Sequence, residues 1–240
     1  MAQKRIYREL HKGKDLIYFK VKVEQTDLDI AARSMLRKEA LQLVKRYRND
    51  IEEYIKRDKR FLTSLTPIPC LPDAPAIVRR MCMAAHMAGV GPMAAVAGAI
   101  SEFVGRELLK FSAEIIVENG GDIFIKSQRD RLVGIYAGDS PLSQKIGLKI
   151  SAEDTPLGIC TSAGKIGHSL SLGKADAVVI VSKDTPLADA VATAVGNIVR
   201  TAGDIQKGIS FARRIEGVLG AVIIVEDKCG AWGHVELVRL

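Results

Sequence analysis

A four-residue turn sequence between two apolar runs constrains the fold of this chain most. Asn119-Gly120-Gly121-Asp122 follows Ile115-Ile116-Val117 and precedes Ile123-Phe124-Ile125. β-Branched and aromatic runs on either side of such a turn predict two strands that meet in a tight hairpin. Glycine accepts positive φ and has no side chain, so a ligand can approach its backbone closely. The segment is therefore either a plain hairpin turn or a turn that also lines a ligand site.

A second segment, Leu187 to Ala194, begins an alanine-rich helix with two oxygen-bearing side chains on one face. Asp189 and Thr193 are four residues apart, which places them one helical turn from each other. A carboxylate and a hydroxyl are ligands that Mg²⁺ accepts. The same residues also have ordinary helical roles. Asp near a helix start can cap the helix or interact favourably with the helix dipole, and the Thr hydroxyl can donate a hydrogen bond to a carbonyl oxygen one turn earlier.

Composition fits an ordinary globular protein with an excess of positive charge. The 240 residues suit one large domain or two small ones, and the net charge of +7 favours anionic ligands without identifying one. Basic residues of the first third alternate with Asp and Glu, which is typical of a solvated helix face. No basic strand is interleaved with aromatic residues, so RNA binding ranks last and we expect no nucleic-acid partner.

Cysteine spacing and hydropathy favour a soluble cytoplasmic protein. No CxxC pair indicates a zinc knuckle or a redox dithiol. Residues 1–15 are polar and lack the apolar core of an export signal. The uncharged stretch Met81 to Ser101 contains His86 and three glycines, so it predicts a buried helix pair rather than a membrane span. We therefore expect no membrane partner.

Apolar periodicity predicts an α+β order of elements. Helices are predicted over residues 30–60, 73–88, 93–110, 187–201 and 205–215, the second with Asp73 as its cap and Pro75 in its first turn. Beyond the central hairpin, strands are predicted over residues 16–23 with a partner at 5–10, and over 131–137, 146–150, 158–161, 175–182, 220–226 and 234–240. Strands joined by antiparallel-type turns favour α+β over a doubly wound α/β fold.

Four blocks along residues 89–240 resemble, in order and spacing, the motifs of the ApbE superfamily, whose best-known members are FAD-dependent protein FMN transferases. The small-residue helix Gly91 to Glu102 resembles the family's glycine- and alanine-rich helix. Val117 to Ile123 resembles its Asn-x-Gly-Gly-Asp segment, and Cys160 to Gly164 resembles its Thr-Ser-Gly loop. Ala188 to Ala194 matches its Ala-Asp-Ala-x-Ala-Thr helix. The set of four is far more specific than any one block.

The chain departs from the family pattern at two polar positions. Ala97 stands where the family helix usually carries a lysine, and the segment after His168 lacks the family's Asp-Pro. The chain is short, and its N-terminal third differs from that of the transferases. It is most similar to a compact branch of the superfamily from archaea and anaerobic bacteria, whose members have been linked to sulfur assimilation into homocysteine.

The resemblance implies a fold and a domain division. It implies the tunnel-forming T-fold, with a curved antiparallel sheet backed by helices. We therefore expect a single domain over residues 1–240, with a divergent N-terminal hairpin and long helix at 1–65 and a core at 73–240. The proline-rich segment from Pro67 to Pro72 is the boundary between these two parts.

The resemblance also implies roles for individual residues. Mg²⁺, held by Asp189 and Thr193, would polarise the FAD pyrophosphate while a threonine of a protein partner attacks. The flavin or nucleotide pocket would be formed by Asn119, Gly120, Gly121, Asp122, Thr161 and Ser162. His168 would act as a catalytic base or bind phosphate, and its alternative is a polar loop residue.

Two functions follow from this resemblance. The first is an Mg²⁺-dependent, flavin-binding transferase, with activity reduced by the polar groups that are missing at Ala97 and after His168. The second is a non-transferase accessory protein of sulfur assimilation that keeps the fold and the pocket. For His86, His234 and Cys160 a structural role is the better interpretation, since no neighbouring base supports Cys160 as a nucleophile.

Overall fold

The apolar runs on either side of Gly120-Gly121 form two paired strands in the computed structural model, which describes residues 15–163 and 174–240. The described strands are, in chain order, β1 (Ile17–Val23), β2 (Thr26–Ala32), β3 (Ile115–Asn119), β4 (Asp122–Lys126), β5 (Arg131–Gly134), β6 (Ile146–Ile150), β7 (Leu157–Ser162), β8 (Ala177–Ser182), β9 (Val218–Val225), β10 (Lys228–Gly233) and β11 (Glu236–Arg239). The described helices are α1 (Arg37–Arg57), α2 (Arg60–Thr63), α3 (Ala76–Ala88), α4 (Val96–Leu108), α5 (Thr185–Ile198) and α6 (Ile205–Arg213).

Eight strands form one antiparallel sheet in the order β1-β2-β3-β4-β7-β8-β9-β10. The hairpin β3–β4 lies in its interior, with Asn119 opposite Asp122. Gly120 and Gly121 have φ of 69° and 108°. Positive φ at both central positions is what a two-residue hairpin turn of type I′ requires, and glycine adopts it without steric cost. The predicted hairpin is therefore confirmed.

The large sheet is covered on both faces, which explains the uninterrupted apolar sequence of β8. Val178 and Ile180 belong to the core under the helices. Val179 and Val181 point the other way, into a second core that contains Leu148 of β6. β6 is the middle strand of a small antiparallel sheet with the order β11-β6-β5. Side chains alternate between faces along a strand, so a strand buried on both faces is apolar throughout.

This architecture confirms the α+β prediction of an antiparallel sheet backed by helices. α4 and α5 pack on the sheet and on each other, and α1 packs on α4 through an edge-to-face contact of Tyr47 and Phe103 with ring centroids 5.3 Å apart. The T-fold and the division into residues 1–65 and 73–240 stay predictions. Among the described residues, no single helix is long and apolar enough to span a membrane. One helix pair, Ala76–Ala88 and Pro92–Leu108, has the required length and composition together, but it is bent by 105°.

The long helix predicted over residues 30–60 is wrong at its start. Residues Thr26–Ala32 form β2, which pairs with β1 on one side and β3 on the other, and α1 begins only at Arg37. Pairing on both edges satisfies the backbone of β2 and buries Leu28 and Ile30 completely, which outweighs the helical periodicity that follows. The partner predicted for β1 at residues 5–10 lies outside the described residues.

Three smaller features also differ from expectation. Asp73 does not cap α3, since its carboxylate binds Arg57 at 2.7 Å and Pro75 occupies the N-cap position. α4 starts at Val96 because residues 92–95 form a separate 3-10 helix. β10 was not predicted, because its two glycines weaken the strand pattern.

A disulfide between Cys70 and Cys82, whose Cα atoms are 6.3 Å apart, joins the proline-rich segment to α3.

Candidate functional site

Asp189 lies in α5 where this helix contacts α4. Its buried carboxylate accepts a hydrogen bond from the Gly98 N–H through Oδ2 at 2.8 Å. A Cβ added at Gly98 would lie 2.6 Å from the Thr185 carbonyl oxygen and 2.9 Å from the Asp189 Cβ. The small residues of α4 therefore serve close helix packing here, and that packing delivers a backbone N–H to the carboxylate.

Asp122 lies at the start of β4, opposite Cys160 of β7. Its side chain is buried, and its Oδ1 atom has no hydrogen-bond partner among the described residues. Burial raises the pKa of Asp122 well above its usual range, and the charge of Asp189 raises it further. Hydrogen bonds from Cys160 and from the Thr161 backbone lower it in part. Asp122 is thus a buried carboxyl group with an unused oxygen.

Asp122 and Asp189 form a buried carboxylate pair, the name used below for these two side chains. Burial raises the pKa of Asp189 to about 7, although hydrogen bonds from the backbone at Gly98 and Ala97 oppose this shift. The charge of Glu118 adds to the repulsion on Asp122. Two like charges in a buried site are unfavourable unless one group holds a proton or a cation lies between them. The pair is therefore a place where a cation would be stabilising.

Cys160 completes this cluster as a neutral thiol. Its Sγ lies 3.4 Å from the Thr185 carbonyl oxygen and is also in hydrogen-bonding reach of the Asp122 carboxyl group, so its single S–H serves one of these acceptors at a time. Burial raises the pKa of Cys160 well above its usual range, and the charges of Asp122 and Asp189 raise it further. A thiol in such surroundings does not form the thiolate that a nucleophile needs. This geometry agrees with a structural role for Cys160.

The glycine turn is held against the first turn of α4. Asn119 donates from Nδ2 to the Ala97 carbonyl oxygen at 3.2 Å, and the Ser101 hydroxyl lies 2.9 Å from the same oxygen and 3.0 Å from that of Asp122. The Gly121 N–H donates to Glu118 Oε1 at 2.7 Å. These contacts fix the turn beside the carboxylate pair.

The other predicted site residues that the structure describes lie on the turn, the strand and the helix that carry this cluster. A Cβ at Gly121 would lie 3.6 Å from the Thr161 carbonyl oxygen, so the two segments are in ordinary contact, while Gly120 is exposed. Ser162 is buried at the end of β7 and Thr193 is half-buried one turn after Asp189. His168 lies outside the described residues, so its role stays a prediction.

Two buried carboxylates of this region were not predicted as site residues. Glu102 Oε2 accepts the Thr185 N–H at 2.6 Å and so holds the first residue of α5. Glu118 is buried in β3. Glu102 precedes the apolar pair Phe103-Val104, and Glu118 follows the apolar pair Ile116-Val117. A charged residue next to an apolar run is a pattern that can indicate a buried charge. The described residues contain no group of three or more His, Cys, Asp or Glu side chains that could hold a metal ion.

Known proteins resemble the chain along most of its length. The family model described as AbpE bacteria matches residues 8–230. A UPF0280 protein of Methanococcus aeolicus is 45% identical over 195 residues, which are 79% of this chain and 79% of that protein. A UPF0280 protein of Methanocella arvoryzae is 40% identical over 216 residues, which are 90% of this chain and 88% of that protein.

Solved structures share the fold at low sequence identity. The ApbE protein of Thermotoga maritima has a TM-score of 0.62 and 12% identity, with 90% of this chain and 96% of that chain covered. The flavinyl transferase ApbE of Pseudomonas stutzeri, in its apo form, has a TM-score of 0.59 and 15% identity over 91% and 94% of the two chains. Family match, close relatives and shared fold agree: the chain belongs to the ApbE-like superfamily, in the compact branch that contains the archaeal UPF0280 proteins.

Proposed function

We propose that this protein binds a flavin nucleotide or a related nucleotide together with Mg²⁺ at the buried carboxylate pair. The observation that carries the proposal is the unpartnered Asp122 Oδ1 beside the charge of Asp189. A divalent cation would offset the repulsion within the pair and use the free oxygen. Mg²⁺ is commonly held by one or two carboxylates together with substrate phosphates, so a larger protein ligand set is not required.

Asp189, Asp122 and Thr193 are the residues that we assign to the metal. Asp189 is held in place by backbone hydrogen bonds from Gly98 and Ala97, and the Gly98 N–H bonds its Oδ2. When bound, Mg²⁺ would neutralise charge on the nucleotide pyrophosphate. The positive-φ glycines 120 and 121 leave the turn free of side chains, which allows a flat ring to approach its backbone. Thr161 and Ser162 would flank that ring, and His168 would contact phosphate or act as a base.

We further propose that FMN transfer by this chain is weak or absent. Ala97 offers no cationic side chain where the family pattern has lysine, and its carbonyl oxygen is occupied by Asn119 and Ser101. The sequence after His168 also lacks the Asp-Pro of the pattern. Placed charges are often the largest contribution to transition-state stabilisation, so losing them costs about 3 kcal/mol or more per group. This favours the second candidate, an accessory protein that binds nucleotide without transferring it.

Incubation with FAD, Mg²⁺ and a protein carrying a flavinylation motif tests the transfer question. We expect little or no in-gel flavin fluorescence on the target, and no gain over an Asp189→Ala variant. Strong labelling by the wild-type protein that disappears in Asp189→Ala would overturn the accessory interpretation and establish a transferase. Asp58→Asn is the control, because Asp58 is a buried carboxylate that pairs with Arg60, away from the carboxylate pair.

A further inference from the structure

A groove between α1, α3 and α4 is lined by neither member of the carboxylate pair, although Glu102 lies in its wall. Its volume is 580 Å³, within the size range of small-molecule sites. Arg106 in its wall follows Gly98 by eight residues, which is about 12 Å along α4 at the rise of a helix. Ala76 and Phe103 give the groove accessible apolar surface, and Arg80 and Arg106 give it positive charge.

The two arginines pair with the carboxylates that hold the start of α5. Arg106 Nε donates to Glu102 Oε1 at 2.6 Å, and Arg80 forms an ion pair with Asp184. Asp184 is the N-cap of α5 and accepts a backbone N–H of its first turn through Oδ1. Glu102 accepts the N–H of Thr185. The pairings orient both guanidinium groups from one side.

The arginines keep donors for a further partner. A guanidinium carries five N–H groups in a fixed fork, and among the described residues Arg106 binds Glu102 through Nε alone. The side chains of Arg80 and Arg106 remain 39% and 50% exposed. Two half-exposed guanidinium groups in the wall of one groove, each fixed on one side by a carboxylate, match the recognition of an oxyanion.

The lining near Tyr47 has acidic side chains as well as Arg46. Asp50 and Glu107 line the groove near Tyr47, and after burial their charges raise the pKa of Tyr47, while Arg46 lowers it. A second anionic group would be repelled there. The groove therefore suits a ligand with one anionic end and an uncharged, apolar body.

We propose that this groove binds a small organic oxyanion, a carboxylate or a phosphate monoester with an apolar body, between Arg80 and Arg106. The anionic end receives hydrogen bonds from the two guanidinium groups. The body packs against Ala76 and Phe103. This binding site requires neither flavin nor Mg²⁺.

NMR titration of the full chain with phenyl phosphate, in the absence of FAD and Mg²⁺, tests the proposal. We expect the amide signals of Thr185 and Leu187 to shift, because their N–H groups bind the carboxylates that hold the two arginines. Phenyl phosphate should bind more tightly than inorganic phosphate, since the latter lacks an apolar body. Arg80→Gln and Arg106→Gln should each weaken binding about tenfold or more.

Arg213→Gln is the matched control, since Arg213 is an exposed helical arginine of α6 outside the groove, and it should leave binding unchanged. Arg106→Lys keeps the charge without the fork and should also weaken binding. If far-UV circular dichroism shows that Arg106→Gln is unfolded, the affinity of Arg106→Lys for phenyl phosphate tests the role of Arg106 instead. Equal affinity in wild-type, Arg80→Gln and Arg106→Lys proteins, or no binding of phenyl phosphate at millimolar concentration, would overturn the proposal.

Discussion

Individual residues in this protein show why function and packing cannot be separated at the α4–α5 contact. Gly98 lets α5 approach within van der Waals distance and also donates its N–H to Asp189. The same position therefore controls helix packing and the orientation of a proposed metal ligand. A change at Gly98 affects both, whereas a change at Asp189 affects chiefly the charge.

Gly98→Ala is expected to destabilise the fold. Alanine favours a helix interior by about 1 kcal/mol over glycine, but its Cβ would meet a backbone oxygen at 2.6 Å, so the helices must separate. Overpacking of this kind costs about 1–3 kcal/mol, and the clash is with backbone, so the loss outweighs the gain. Urea unfolding measures the difference. Gly203→Ala, which would meet only the Thr201 hydroxyl at 3.6 Å, should stay within about 0.5 kcal/mol of wild type.

Glu114 should make a pH-dependent contribution to the free energy of unfolding. Burial alone would raise its pKa, but hydrogen bonds from Ser127, the Gln128 N–H and Arg131 outweigh burial and lower it to about 2. A carboxyl group with a depressed pKa in the folded state stabilises the fold above its unfolded pKa. That contribution is lost as the pH falls from about 4.5 to about 2.

Glu114→Gln should therefore cost about 2–3 kcal/mol of unfolding free energy near pH 7, and the difference from wild type should shrink on acidification below about pH 4. Urea unfolding at a series of pH values is the measurement. A difference that stays constant down to pH 2 would contradict the depressed pKa. Glu107→Gln, a surface carboxylate paired with Lys110, serves as the control and should show little effect at any pH.

At the scale of helices and strands, the sequence predicted the elements that are specified by neighbouring residues in the chain. The β3–β4 hairpin was predictable because Gly120 and Gly121 adopt the positive φ that a two-residue turn of type I′ needs at both positions. α5 was predictable from its alanine-rich sequence, although its start at Thr185 depends on the Asp184 cap. β2 was not predictable, since seven residues next to a helical pattern become a strand only when β1 and β3 pair with them.

In the candidate site, too, the residues within local motifs were predictable and the contacts between distant residues were not. Asp122 and Asp189 were identified from their motifs, but the hydrogen bond from Gly98 to Asp189 joins residues 91 positions apart. The bond from Thr185 to Glu102 spans 83 positions. Contacts at such separations depend on the packing of α4 against α5, which no local pattern specifies. Single carboxylates such as Glu102 and Glu118 were therefore overlooked, although both are buried.

At the scale of the whole molecule, helices and a small sheet cover opposite faces of one antiparallel sheet. The loops and helix ends on the helical side bring together the turn of β3–β4, the start of α4 and the first turns of α5. The carboxylate pair lies where these three elements meet. One end of the fold is thus organised around two buried carboxyl groups, and a proton or a cation at the pair reduces the repulsion between them.

Isothermal titration calorimetry with FAD, in the presence and absence of Mg²⁺, tests the central claim most directly. We expect FAD to bind in the presence of Mg²⁺, and removal of the metal to weaken binding at least about tenfold. Asp189→Asn should remove the Mg²⁺ dependence, and the control Asp58→Asn should keep it. FAD binding of equal strength with Mg²⁺, without Mg²⁺ and in Asp189→Asn, or the absence of binding by a folded wild-type protein, would contradict the claim that the carboxylate pair holds a metal-bound nucleotide.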